Sequence, residues 1–290
     1  MSYSISHIGD LISARRIGTT DADIECLLTD SRSLVFPETT LFFALRTGTG
    51  DGHRYIADLY RRGVRNFVVG TLPDDAQAHY PAANFLLVAS PLQALQTLTE
   101  QHRLRFDIPV VGITGSNGKT IVKEWIYQLL SPSETVTRSP RSYNSQIGVP
   151  LSVWLLNEHS RAALFEAGIS RPGEMSALRH IIRPTLGVLT NIGAAHEANF
   201  ATPDEKCMEK LKLFKHTAAL IHCVDDPLID RCLDASHYAG RRIGWSRRSP
   251  QAAFYAEVIP TAGHTATVGS KPDTTHIRLH DRDGQRIVAF

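Results

Sequence analysis

Residues 112–124 read GITGSNGKTIVKE, with glycines, a lysine and a threonine set directly after the apolar run VVGIT. Glycines let successive backbone N–H groups converge on an anion without Cβ clashes, and the start of a following helix adds partial positive charge. The stretch Gly115-Ser116-Asn117-Gly118-Lys119-Thr120, entered from Thr114, therefore has the make-up of a phosphate cradle. Lys119 can reach the β- and γ-phosphates of a nucleotide, and the Thr120 hydroxyl can ligate Mg2+. The spacing departs from GxxxxGK[ST], because Ile113 stands where the first glycine belongs and Gly112 comes one residue early. The competing reading is an ordinary glycine-rich turn with a solvated lysine. A strand before it and a helix after it favour the cradle.

Other polar groups interrupt or follow apolar runs downstream. In RSYNSQIGVP, Asn144 and Ser145 precede a helical stretch, where capping and ligand contact are equal readings. Glu166 interrupts the apolar run AALFEAG near its end. A carboxylate in a buried strand is costly unless paired or bound to metal, and metal ligation is favoured here over an internal salt bridge. Asn191 and His196 follow LGVLTNI. The pair His196-Glu197 is not a zinc-protease motif, since Phe200 takes the second histidine position, and by itself His196 reads as a loop histidine. DEKCMEKLKLFK is a charged amphipathic helix on which Lys206, Glu209 and Lys210 read as a solvated face. TGTGDG (Thr47–Gly52) does not fit GxGxxG, because His53 falls where the third glycine would be; it reads as a substrate loop.

The elements that must position these groups follow from periodicity. Strand candidates VVGIT, ETVTR, AALFEAG, LGVLTNI and AALIHCV alternate with helical stretches at 119–130, 147–156, 174–182, 204–215 and 227–234. That rhythm predicts an α/β fold with a parallel sheet covered on both faces, whose ligands gather at the carboxyl ends of the strands. The helix from 119 carries Ile121, Val122, Trp125, Ile126, Leu129 and Leu130 as its apolar stripe. Upstream, TLFFAL, NFVVG and NFLLVA read as strands, with RYIADLYRRG a helix ending at Gly63 and PLQALQTLTEQHRL a second helix. FDIP breaks the pattern, so a boundary is expected near Asp107, giving domains 1–106 and 107–290. In the tail, FYAEVIP, HTATVGS, THIRLH and RIVAF read as strands, the last two joined by a DRDGQ turn. The chain stops at Phe290 inside an apolar strand, which reads as a fragment truncated in its second domain.

Composition agrees with this plan. The chain has 290 residues, 42% of them hydrophobic, enough for about two domains. Lys plus Arg number 31 against 29 for Asp plus Glu, which argues against a general nucleic-acid binder. Cys26, Cys207, Cys223 and Cys232 form no CxxC and read as reduced thiols of a cytoplasmic protein. The start MSYSISHIGD has neither the basic nor the apolar region of a signal peptide, and no apolar run approaches the ~20 residues of a membrane span.

Taken in order, TDSRSL, LFFALRTGTGDGHRYI, GITGSNGKT, YNSQIGVPLSV, FEAGISRPGEM, TNIGAAHEANF and EKCMEKLKLF resemble the Mur ligase family. The resemblance runs along nearly the whole chain, and the order and spacing of the segments carry it. It implies a small α/β domain for a UDP-sugar, a central P-loop ATPase domain with a mainly parallel sheet, and a third, Rossmann-like domain that is missing here. The activity it implies is ATP-dependent amide ligation of D-alanyl-D-alanine to UDP-N-acetylmuramoyl-tripeptide through an acyl phosphate, in peptidoglycan precursor synthesis. This chain alone is then expected to be close to inactive in ligation.

The same resemblance implies roles for residues. Asp30, Ser31 and Arg32 would lie at the UDP end of the substrate, and Asn144 and Ser145 in a substrate loop. Asn191 would join Thr114–Thr120 around the nucleotide, while Glu166 and His196 would ligate Mg2+ beside Thr120. Lys210 matches a lysine carbamylated in the family, and a carbamate oxygen can hold a second Mg2+. Ile121 departs from the pattern, since many relatives carry Thr or Ser there. The segments also look like a form fused to an alanine racemase; pyridoxal phosphate would belong only to that half, which is not present here. One rival is a related amide ligase such as folylpolyglutamate synthetase, against which the DSR and FFALRTG segments speak. The other is a non-catalytic ATP-binding module, which would have no need of Glu166, His196 and Lys210 together.

Overall fold

A computed structural model of the chain describes residues 1–48, 50–193, 199–259, 276–281 and 284–289. The chain forms two compact units. The first comprises Met1–Ile108, Leu129–Phe165 and His180–Arg183, and the second Pro109–Gln128, Glu166–Arg179 and Pro184–Phe290. The passage from Ile108 to Pro109 lies beside the expected boundary, whereas residues 129–165 and 180–183 return to the first unit.

In the first unit five strands pair in the order Arg15–Ile17, Asn84–Leu87, Asn66–Val69, Thr40–Phe43, Cys26–Leu28. The first pair is antiparallel and the others are parallel. Side chains alternate between the faces of such a sheet. Leu41, Phe43, Val68 and Leu86 accordingly join one core with Ile5, Ile8, Leu95 and Leu98. Phe42, Phe67, Val69 and Phe85 join the other with Ile56 and Leu59. The helix Pro91–Arg103 starts where Ser90 accepts a hydrogen bond from the Gln93 N–H, with Pro91 in the first turn, where its missing donor costs nothing. The Trp154 indole N–H donates to Glu25 O at 2.7 Å and His102 Nε2 to Leu156 O at 3.0 Å, tying the returning segment into this unit.

The second unit is built on strands that neighbour one another in the order Val110–Thr114, Leu186–Leu189, Ala219–Cys223, Arg241–Ser246, Phe254–Ile259, His276–Asp281, Gly284–Ala289. Pairing is parallel as far as Phe254–Ile259 and antiparallel beyond it. Thr114 is in register with Leu189, so both strands run out at the same level and their following loops start side by side. The fold is α/β, with helices at Lys119–Leu130, Gly148–Val153, Glu174–Ile182, Pro203–Leu211 and Pro227–Ala235 close to the expected stretches. Arg241–Ser246 is a strand that periodicity missed, because RRIGWS offers little apolar alternation and takes its form from pairing with Ala219–Cys223. The expected strand HTATVGS lies outside the described residues, as do the central residues of the DRDGQ turn. No described helix is long and apolar enough to cross a membrane, and all four cysteines are free thiols.

The apolar stripe of one helix is not its buried face. On the helix Lys119–Leu130, Ile121, Trp125 and Leu129 are 56%, 55% and 77% exposed, while the fully buried side chain is Lys123. The inward face of this helix is the one that carries Thr120 and Lys123, three residues apart and therefore neighbours on the helix surface.

Candidate active site

The loop after Val110–Thr114 is braced from the neighbouring strand end. The Ser116 N–H donates to Asn191 O at 2.8 Å and the Asn117 N–H to Asn191 Oδ1 at 3.0 Å. Thr190 Oγ1 donates to Asn117 O at 2.6 Å, and Ser116 Oγ accepts the Gly193 N–H at 2.9 Å. Asn191 thus shapes the loop through its own backbone and side chain. The N–H groups of Gly118, Lys119 and Thr120 open the helix, and the first N–H groups of a helix have no acceptor within it. These are the donors an anion would meet. Lys119 Nζ folds back onto Gly115 O at 2.9 Å and Ser116 O at 3.2 Å, and burial lowers its pKa against the attraction of Glu166.

Glu166 ends the strand Ala162–Glu166 and is fully buried. The Ala167 N–H donates to Ile113 O at 2.8 Å and Thr114 Oγ1 to Ala167 O at 2.7 Å, which fixes the carboxylate beside the loop. Its Oε2 accepts a hydrogen bond from Thr120 Oγ1 at 3.1 Å, and its Oε1 pairs with Lys123 Nζ at 2.9 Å. The internal salt bridge weighed against metal ligation is therefore present, and the other oxygen faces the threonine. A hydroxyl and a carboxylate in contact form a hard oxygen donor set of the kind Mg2+ prefers. His196 lies outside the described residues.

The helix Pro203–Leu211 begins at Thr202, whose side chain accepts the Glu205 N–H at 3.0 Å, while Glu205 Oε2 accepts the Ala201 N–H at 2.7 Å. This is a reciprocal cap at a helix start. The expected solvated face is a correction: Lys206, Glu209 and Lys210 are all buried. Lys206 Nζ donates to Gly193 O, and Lys210 Nζ donates to Gly115 O at 3.1 Å. Glu209 Oε1 accepts the Gly173 and Met175 N–H groups at the start of the helix Glu174–Ile182. Burial first, then the charges of Lys119 and Lys206, hold the Lys210 ammonium down at a pKa of about 8. Lys123 was not singled out from sequence, and Lys206 was read only as part of that solvated face. For Lys123 the signal was there, three residues after Thr120 on one helix face.

In the first unit, Asp30, Ser31 and Arg32 line a cleft of about 520 Å³ together with Thr47, Asp51 and Tyr55. The expected substrate loop and the DSR segment thus share one cavity. Asp30 pairs with Arg32 at 2.7 Å, and that contact lowers the carboxyl pKa. Asp51 accepts the His53 N–H at 2.9 Å and contacts the ring Nδ1 at 2.5 Å; these bonds hold it at about 2. Ser145 Oγ accepts the Gly148 N–H at 3.1 Å, the capping reading, and Asn144 lies beside it in the same unit.

Comparison with known proteins adds an independent line. The model of the Mur ligase middle domain matches residues 113–280. A UDP-N-acetylmuramoyl-tripeptide--D-alanyl-D-alanine ligase of Bacillus subtilis is 30% identical over 210 residues, covering 71% of this chain and 45% of that protein. A crystal structure of MurF from Acinetobacter baumannii has a TM-score of 0.85 at 22% identity, covering 100% of this chain and 61% of that one. MurF ligase from Thermotoga maritima in complex with ADP has a TM-score of 0.74 at 24% identity, covering 97% and 58%. At these identities the solved structures bear on the fold alone. The chain spans about half the length of the curated relatives it matches.

Proposed function

We propose the following reaction for this chain, which belongs to the Mur ligase family. It supplies the UDP-sugar-binding and ATP-binding parts, at 1–106 and 107–290, of a ligase that joins D-alanyl-D-alanine to UDP-N-acetylmuramoyl-tripeptide. A carboxylate acylates poorly because oxide is a poor leaving group. Transfer of the γ-phosphoryl group of ATP to the peptide carboxylate gives an acyl phosphate and ADP. The dipeptide amine then forms the C–N bond, the C–O bond to phosphate breaks, and the amine proton leaves. Nucleotide-linked substrates of this kind fit a cytoplasmic enzyme.

In this reaction the helix-start N–H groups and Lys119 bind the β- and γ-phosphates. Lys119 would exchange its loop carbonyls for phosphate oxygens. Thr120 and Glu166, with His196, would hold Mg2+, and Lys210 as a carbamate would help hold a second. When bound, Mg2+ neutralises phosphoryl oxygens, so that two anions can approach. Carbamylation needs the neutral amine, and a pKa of about 8 leaves a usable fraction of Lys210 in that form near neutral pH. Asp30, Ser31 and Arg32 would bind the UDP end, with Asn144 and Ser145 in a further substrate loop.

The observation that carries this reading is the 3.1 Å contact of Thr120 with Glu166 at the start of the phosphate-loop helix. Calorimetric titration of the chain with ADP, with and without Mg2+, tests it. Binding should tighten with Mg2+, and Lys119→Met should weaken it by about 10- to 100-fold, the worth of a charge-assisted contact. ADP binding indifferent to Mg2+ would instead mark a non-catalytic nucleotide module. Binding of a folate but not of UDP-N-acetylmuramoyl-tripeptide would move the assignment to the folylpolyglutamate synthetase branch.

A further inference from the structure

We propose that Lys123 is a positioning residue, which fixes the Glu166 carboxylate so that one oxygen faces Thr120 before nucleotide and Mg2+ arrive. The inference rests on the reading of Glu166 as a metal ligand. Lys123 is a lysine with no exposed side chain, and a buried ammonium is costly unless it is paired and hydrogen-bonded. It meets Glu166 Oε1 at 2.9 Å and Glu124 Oε1 at 3.1 Å. Its place on the helix, four residues after Lys119 and three after Thr120, puts it on the face that looks at the end of the Glu166 strand.

A carboxylate is planar, so anchoring one oxygen sets the direction of the other. With Oε1 on Lys123, Oε2 is the oxygen left to face the Thr120 hydroxyl at 3.1 Å. The two lysines of this turn then divide the work. Lys119 rests on loop carbonyls that it can exchange for phosphate, whereas Lys123 stays with the carboxylate. Glu124 holds the ammonium from a second side, which leaves it little freedom to follow the nucleotide. Groups that orient a metal ligand typically contribute 10- to 100-fold in metal affinity without touching the ion.

The readout is the ratio of ADP Kd without Mg2+ to that with it, measured on the 290-residue chain. Glu166→Gln should abolish most of the wild-type ratio. Lys123→Met should lower the ratio by about tenfold or more while leaving the Mg2+-free ADP Kd within about twofold. A Lys123→Met protein with the wild-type ratio overturns the inference, as does one in which both Kd values weaken equally, the mark of a merely structural pair. If Lys123→Met does not fold, the ratio is read on Lys123→Arg, whose planar guanidinium cannot take the ammonium's place. There a drop of about threefold or more supports the role and an unchanged ratio overturns it. A Glu166→Gln protein that keeps the full ratio would sink the reading of Glu166 as a ligand instead, so the two failures are told apart.

Discussion

A Cβ built on Gly115 would lie 1.9 Å from Thr190 Oγ1 and 3.0 Å from the Asn191 backbone, whereas one on Gly118 meets nothing within 4 Å. Both glycines have positive φ, +147° and +78°. The first position needs space and backbone freedom together, while the second needs only the freedom. Gly115→Ala should therefore push the loop off the Thr190–Asn191 strand end, lowering stability by about 2 kcal/mol or more and removing ADP binding. Gly118→Ala should cost about 1 kcal/mol, because strain is all that it adds. Urea unfolding and ADP titration of the two variants check this. Equal effects would mean that the close approach at Gly115 is relieved by a small shift and shapes nothing.

Among the elements, the helix Pro91–Arg103 carries a histidine whose surroundings make its charge expensive. His102 is buried, accepts the Tyr3 hydroxyl at Nδ1 and donates from Nε2 to Leu156 O. Burial is the main cause that lowers its pKa from 6.5 to about 4. Between those values the unfolded chain holds the proton and the folded one does not, so stability falls as pH drops through that window and rises again with pH. The loss approaches ~3 kcal/mol at its limit. Urea midpoints at pH 7, 5.5 and 4.5 should fall more steeply for the wild type than for His102→Gln; parallel slopes would show that other groups set the acid response. The same elements show what local pattern can and cannot carry. Strands such as VVGIT and LGVLTNI were legible because their apolar residues meet a sheet wherever the chain goes. The inward faces of Lys119–Leu130 and Pro203–Leu211 were not, since Lys123, Lys206 and Lys210 turn inward toward Glu166, Gly193 and Gly115, partners far away in sequence. A lysine's helical spacing is the same whether it faces water or a buried carboxylate. The loop Gly115–Thr120 lies where it was read, between the strand Val110–Thr114 and the helix Lys119–Leu130, because glycine is the residue that takes the positive φ found at Gly115 and Gly118.

At the scale of the whole molecule the charge is nearly balanced, yet Lys119 and Lys210 both donate to Gly115 O, and Lys206 donates to Gly193 O, which also accepts from Ser116. Local concentration of like charge in a buried place favours an anion there without making the entire surface basic. Each unit also holds its candidate site with its own side chains: Arg32 and Asp51 in the first, Lys119 and Glu166 in the second. Substitutions that share no partner usually act independently. Arg32→Ala should weaken binding of UDP-N-acetylmuramoyl-tripeptide by about tenfold, the worth of one charged contact, and leave the ADP Kd within about twofold. Lys119→Met should do the reverse. Both are read by titrating one 290-residue chain with each ligand separately. If Arg32→Ala weakened ADP as much as the UDP-sugar, the first-unit cleft could not be a site in its own right, and its lining by Asp30, Ser31 and Arg32 would have to be explained as structure alone.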